Sequence, residues 1–243
     1  IGVVGRTGAG KSTLSLALLR FIEASSGQIQ LDGVDVATLG LEELRQSITI
    51  IPQDPVLFNG TIRFNLDPFG DHSDELLLDV LRRTTLLKEG QGSSSNSSTN
   101  VGDMAALGTE NSVAAFVSLD DPIVSNGQNL SLGQRQLVAL ARALVRRSKL
   151  VVMDEATASV DFQTDENMQK AIRGSEFADS TLLCIAHRLR TIIDYDRVLV
   201  LDDGKVIEFD TPGNLINREG GSHFRWLCES SGEFALLQAM AKN

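Results

Sequence analysis

No apolar run in this 243-residue chain approaches the roughly 20 residues that a membrane-crossing helix needs, and its start lacks the charged, apolar and small-residue order of a signal peptide. The chain itself is expected to be soluble. Nor is there a dense stretch of lysine and arginine; the formal net charge of −10 counts against nucleic acid and against an anionic lipid surface. Cysteine is scarce. Cys184 and Cys228 lie far apart, and Cys184 sits in the apolar run Leu182-Leu183-Cys184-Ile185-Ala186, so buried thiols in a reducing compartment are expected, which favours the cytosol. An initiator methionine is missing too: the chain opens on Ile1-Gly2-Val3-Val4, inside an apolar strand, and is expected to be part of a longer protein. Asn59-Gly60-Thr61, Asn96-Ser97-Ser98 and Asn129-Leu130-Ser131 match the glycosylation pattern, but three-residue matches are weak and none is assigned a function.

What is present is a 42% hydrophobic composition, ample for one large α/β domain or two modest ones. The apolar start leads directly into Gly5-Arg6-Thr7-Gly8-Ala9-Gly10-Lys11-Ser12-Thr13. Glycines at both ends let the backbone turn its N–H groups inward onto anionic oxygens, and a helix beginning near Gly10 adds its positive dipole end. Lys11 supplies a full charge for β- and γ-phosphates, and Ser12 a hydroxyl for Mg²⁺. Leu14, Ala17, Leu18, Phe21 and Ile22 then repeat with helical spacing, so a helix is expected to run until Ser25-Ser26-Gly27. Strand, glycine loop and helix in this order read as a phosphate-binding P-loop.

Gln28 to Leu31 alternates as a strand into an Asp32-Gly33 turn, Leu41 to Gln46 reads as a short helix, and Ser47 to Ile51 as a buried strand. That strand delivers Gln53, whose amide is of a type that ligates Mg²⁺ and touches an attacking water. From Asp54 to about Gly90 the pattern turns helical, with Leu76, Leu77, Val80, Leu81, Leu86 and Leu87 among charges. Gln91 to Asn100 is nearly all Ser, Asn, Gly and Gln and is expected to be a disordered insertion. Met104 to Leu119 reads as a helix interrupted by Gly108, Asn111 and Ser112, or as a linker.

Ser131 followed by Gln134 fits a capping box, with Leu137, Leu140, Ala141 and Leu144 continuing one apolar face toward Arg146 and Arg147. Gly133 in the first turn weakens such a helix unless its backbone approaches something closely, such as a phosphate. Leu150-Val151-Val152-Met153 is an apolar strand ending in Asp154-Glu155, the Walker B arrangement: Asp154 for the metal through water, Glu155 to orient or deprotonate the attacking water. Thr181 to Ala186 repeats the design and ends at His187, placed to donate to a γ-phosphate, while His72 and His223 read as surface or packing residues. A terminal hairpin around Asp203-Gly204 and an amphipathic helical tail with Trp226, Phe234, Leu236 and Leu237 complete the pattern.

Together these residues resemble the nucleotide-binding domain of ABC transporters, and Leu130-Ser131-Leu132-Gly133-Gln134 is similar to that family's signature. The match spans almost the whole chain. Gln53-Asp54-Pro55-Val56-Leu57-Phe58, Gly60-Thr61-Ile62-Arg63 and Asn65-Leu66-Asp67-Pro68-Phe69 resemble the C subfamily, the multidrug-resistance-associated exporters, in their second domain. The resemblance implies an α/β P-loop core with a mostly parallel sheet (1–53 and 149–243) and an inserted helical subdomain (54–148). It implies ATP and Mg²⁺ as ligands, with Lys11, Gln53, Asp154, Glu155 and His187 lining one site and Ser12, Gln53 and Asp154 near the metal. It further implies a head-to-tail sandwich with a first nucleotide-binding domain of the same polypeptide, Ser131, Gly133 and Gln134 serving the other site. Transmembrane domains would dock near Val56–Phe69, at the cytosolic face of a plasma or vacuolar membrane. Leu132 stands where the family usually has glycine, which bears on hydrolysis at the site Ser131 serves. The family's adenine-stacking aromatic would lie before Ile1. Two other readings are a nucleotide-sensing regulatory module of the same family and a soluble ATPase acting on DNA or ribosomes.

Overall fold

The computed structural model describes residues 1–88, 114–156, 160, 162–174, 177–186 and 188–241. The Ser-rich stretch, Asp161 and His187 lie outside the described residues. Ten strands and nine helices are described. β1 (Gly2–Gly5) leads through the glycine loop into α1 (Lys11–Leu18), followed by a β2 (Gln30–Leu31) and β3 (Val34–Asp35) ribbon, α2 (Leu41–Ser47) and β4 (Ile48–Ile51). Next come β5 (Gly60–Thr61), α3 (Ile62–Leu66), α4 (Asp74–Arg83), β6 (Pro122–Ile123) and α5 (Leu132–Arg146). The remainder is β7 (Leu150–Asp154), α6 (Phe162–Ile172), β8 (Thr181–Ile185), β9 (Val198–Asp202), β10 (Lys205–Asp210), α7 (Pro212–Asn217), α8 (His223–Ser230) and α9 (Phe234–Met240).

Six strands form one sheet in the order β10-β9-β1-β8-β7-β4, parallel except for β10 at its edge. Side chains that alternate along the strands feed two apolar layers. Val4, Val151, Met153 and Cys184 join Leu137, Leu140 and Met168 of α5 and α6 on one face; Val3, Val152, Leu183 and Ile185 join Leu14, Leu18 and Leu44 of α1 and α2 on the other. Parallel strands buried on both faces explain why these segments read as unbroken apolar runs.

The sheet also aligns the strand exits. Ile51 pairs with Met153, Met153 with Cys184, and Val3 with Ile185, so Gln53, Glu155 and Gly5 leave neighbouring strands at the same carboxyl end. In open α/β sheets that end holds the ligand.

Three expectations are corrected. α1 ends at Leu18, well before Ser25, because Arg20 takes a left-handed backbone (φ 53°) and its guanidinium donates to the carbonyl oxygens of Val36 and Leu39 while pairing with Glu23. The stretch after Asp54 is not purely helical, since β5 pairs antiparallel with β6 some 60 residues away. Of Met104–Leu119, residues 114–119 are not helical: Phe116 is buried and forms a bridge with Leu87. The expected strand at Gln28–Leu31 is shorter, Gln30–Leu31, and the β9–β10 hairpin forms as expected, with its turn residues Asp203 and Gly204 both at positive φ. The tail forms three helices, α7 to α9, which bury Phe224, Cys228 and Leu237.

Candidate functional site

The glycine loop owes its shape to its neighbours. A side chain on Gly5 (φ 156°) would lie 2.3 Å from the Leu201 carbonyl oxygen of β9, so only glycine lets β1 turn there. Gly10, at φ 99°, is the N-cap of α1, and the loop is tied to the terminal hairpin by the Gly204 amide donating to the Ala9 carbonyl at 3.1 Å. Lys11 folds back over the loop, its Nζ donating to the carbonyl oxygens of Gly5 (2.9 Å) and Arg6 (3.1 Å). The ammonium is thereby held over the loop by two of its carbonyl oxygens.

Loop and strand ends share a cavity of about 1170 Å³. Gly5, Arg6, Thr7, Gly8, Gly10, Lys11, Ser12 and Thr13 line it, with Glu155 opposite. Ala9 does not; it is buried in the apolar layer beneath. Ala186 and Arg188 line the cavity as well. Glu155 has a left-handed backbone (φ 50°), uncommon for a residue with a side chain, and its amide donates to the Ile185 carbonyl at 3.0 Å. Such a conformation at the end of a buried strand is a local cost of the kind that clusters at ligand sites.

Asp154 precedes it as the last residue of β7, half-buried and outside the cavity lining. Burial first, and repulsion from Glu155 second, push its carboxyl above the usual carboxylate range, while the nearby Lys11 ammonium opposes the rise. Two adjacent carboxylates facing one ammonium suit a cation bound between them and a phosphate. Among the described residues no group of three or more His, Cys, Asp and Glu side chains could hold a metal alone. Ser12 and Asp154 are the groups of this chain that could contribute to holding a divalent cation, which takes one or two protein oxygens when phosphate oxygens and water fill the other positions.

Gln53 and the Ser131 segment lie elsewhere. Gln53 is exposed beyond β4 and outside the cavity lining. Ser131 caps α5, with its Oγ accepting from the Gln134 amide (3.1 Å) and the Gln134 Oε1 accepting from the Ser131 amide (2.9 Å): the expected capping box. Capping uses an acceptor site of Ser131, and a hydroxyl in that role keeps its proton to donate. Gly133 is explained differently from the reading above. A side chain there would meet Thr164 Cγ2 and Oγ1 of α6 at 3.0 Å, so the close approach is to the chain's own helix.

Several groups were not foreseen. Asp165, Gln169 and Arg173 of α6, and Leu227, Ser231 and Glu233 of the tail, form the far wall of the cavity. Arg6 stacks on Trp226 of α8. Gln136 and Arg142 of α5 are internal polar groups on a helix that reads as simply amphipathic: Gln136 donates to the Pro52 and Gln53 carbonyls, and Arg142 to Val56 and Asn65. No single-residue pattern marks them, because their partners are 77 to 86 residues away.

A central parallel sheet, a glycine loop running into a helix and a strand-end carboxylate pair define a P-loop nucleotide-binding ATPase fold. The sequence profile of the family described as "ABC transporter" matches residues 1–158. The chain therefore belongs to the ABC transporter family, as an ATPase domain of the kind found in its exporters. It is 49% identical over its whole length to the "Pleiotropic ABC efflux transporter of multiple drugs YBT1" of Candida glabrata, of which it covers 14%. It is 50% identical over 96% of its length to the "Oligomycin resistance ATP-dependent permease YOR1" of Saccharomyces cerevisiae, covering 15% of that protein. A rat "ATP-binding cassette sub-family C member 3" is 50% identical over 90% of the chain, which covers 13% of it. Among solved structures, that of a bacterial Atm1-family ABC exporter with ATP bound matches 95% of this chain and is 36% covered by it, with a TM-score of 0.76 and 29% identity. The chain thus spans about one seventh of the length of these curated relatives.

Proposed function

We propose that the chain is the second nucleotide-binding domain of a C-type exporter, turning over MgATP to drive transport by membrane domains of the same polypeptide. One observation carries this: Lys11 and Ser12 of the glycine loop and Glu155 of the β7 exit line one cavity. In this reading Gly5–Thr13 bind the phosphates, with Lys11 neutralising β- and γ-oxygens, and Ser12, Gln53 and Asp154 hold Mg²⁺. Bound Mg²⁺ would offset charge on the phosphate oxygens. Glu155 orients the attacking water and accepts its proton, and His187 donates to the γ-phosphate.

Residues 1–53 and 149–243 make the core and tail of this proposal, and 54–148 the helical subdomain. Its outward face supports docking of membrane domains near Val56–Phe69: Phe69 is 86% exposed, and Val56 and Phe58 are more than half exposed. Phe58 and Phe64, the latter 45% exposed, also lie edge to face with ring centroids 6.3 Å apart, and contiguous exposed apolar surface is a mark of an interaction site. Ser131, Gly133 and Gln134 would face the phosphates held by the first nucleotide-binding domain. The assembly would sit at the cytosolic face of a plasma or vacuolar membrane; among the described residues no helix is long and apolar enough to cross one.

Phosphate release by the full-length protein, with and without Glu155→Gln, tests the reading. The expected result is a loss of turnover of about a thousandfold with ATP binding retained, the scale of losing a general base together with an electrostatic contact. Binding without turnover in the unmodified protein, unaffected by the substitution, would instead make the chain a nucleotide sensor.

A further inference from the structure

Gln136 is 1% exposed, in the middle of the apolar face of α5. Its Nε2 donates to two carbonyl oxygens, Pro52 at 3.1 Å and Gln53. Its Oε1 is buried and has no partner among the described residues. The amide orientation follows from these neighbours, since the reverse placement would set Oε1 against two carbonyl oxygens. An amide half satisfied in a core is an expensive way to fill space, and leucine would fill it at lower cost.

The two carbonyls it serves lie just beyond β4, where the ladder to β7 has ended at Ile51. Strand-end carbonyls lose their ladder partner, and the adjoining peptide planes are free to rotate unless another donor holds them. Gln53 is exposed, so the main chain decides where its amide reaches. A single buried donor fixes two successive peptide planes, and with them the direction in which the Gln53 side chain leaves the backbone.

We infer that Gln136 is a positioning residue for the proposed metal site: by clamping the Pro52 and Gln53 carbonyls it sets the direction from which the Gln53 amide, itself outside the cavity lining, reaches toward Mg²⁺ and water. The inference rests on the proposed role of Gln53 at the metal. The same two hydrogen bonds join α5, which Ser131 caps, to the segment just beyond β4. Changing a group that orients a metal ligand in this way typically costs about 10–100-fold in metal affinity or activity.

The test uses the full-length protein and the substitution Gln136→Met, close in size and unable to donate, with Gln53→Ala and the double variant. ATP binding is measured with and without Mg²⁺, together with melting temperature in the absence of nucleotide. Gln136→Met is expected to raise the Mg²⁺ concentration needed for half-maximal tightening of ATP binding by about tenfold, with Mg²⁺-free ATP binding and melting temperature unchanged. Gln53→Ala should give at least the same shift, and the double variant no more than Gln53→Ala alone. A shift for Gln53→Ala but not for Gln136→Met overturns the inference and leaves the Gln53 reading standing. No shift for Gln53→Ala removes the Gln53 reading itself and the inference with it. A lowered melting temperature with no shift in Mg²⁺ requirement would make Gln136 a packing residue only. Should Gln136→Met fail to fold, Gln136→Asn, one methylene too short to reach both carbonyls, takes its place with the same outcomes.

Discussion

The guanidinium of Arg6 lies over the indole of Trp226, with Cζ 5.2 Å from the ring centroid. Arg6 belongs to the glycine loop and Trp226 to α8, so the tail grips the phosphate loop through one cation–π contact, worth about 0.5–1 kcal/mol at an exposed site. Trp226 is the chain's single tryptophan.

That contact makes a built-in optical probe. Phosphate oxygens entering the loop compete for the Arg6 guanidinium, so titrating the chain with ATP is expected to change the tryptophan emission in a saturable way. Arg6→Ala should abolish the change, and its emission without ATP should resemble that of the nucleotide-loaded chain. An unaltered spectrum on saturation, with binding shown calorimetrically, would mean that the loop keeps its grip on the tail when loaded.

The seat of Gly133 makes a prediction about packing. Gly133→Ala places a methyl group 3.0 Å from Thr164 Cγ2 and Oγ1, and overpacking of this kind costs about 1–3 kcal/mol. Chemical denaturation should show that loss. Adding Thr164→Ala is expected to recover part of it, because the two crowding atoms are gone; a strictly additive double-mutant cycle would refute the contact. ATP-dependent turnover that stays low in the refolded double variant would mean that a phosphate, as well as α6, needs the bare backbone.

Alkaline pH should destabilise the chain for a definable reason. Cys184 and Cys228 are buried, and burial pushes their thiols up to about 11 and about 12; it raises the Tyr195 phenol as well. Above the ordinary thiol range the unfolded chain releases protons that the folded chain retains. Stability is thus fully present below about pH 8.5 and falls as pH rises toward 11, by at most about 1.4 kcal/mol per pH unit for each thiol. Melting curves from pH 8 to 11 check this, and replacing both cysteines with alanine should flatten the profile below pH 10. At pH 8 a thiol reagent should find neither cysteine in the folded chain and both after denaturation.

The local motifs were legible because their chemistry is local. Gly5 to Ser12 carries its own turn and helix start, Ser131 and Gln134 cap within one turn, and Asp203-Gly204 closes a hairpin with two residues. The end of α1 was hidden, because the carbonyls that recruit Arg20 belong to Val36 and Leu39. Gln136 was hidden for the same reason: from the sequence it is one polar residue beside Leu137, and its meaning lies in two carbonyls beyond β4. The wall that α8 and α9 give the cavity depends on how the tail folds back, which periodicity does not encode.

The place of β1 in the sheet has a consequence for how the protein is made. Its two neighbours are β8 and β9, and the Cys184 amide of β8 donates to the Ile1 carbonyl at 2.9 Å from the far part of the chain. At typical synthesis rates of about 5–20 residues per second, the phosphate loop therefore waits roughly 10–40 s on the ribosome before the strands that brace it exist. Pairing at such sequence distance is slow to form, and until it does the loop's glycines and lysine remain an unanchored peptide. A chain cut short before β8 would keep every residue of the phosphate loop and have nowhere to hold a phosphate.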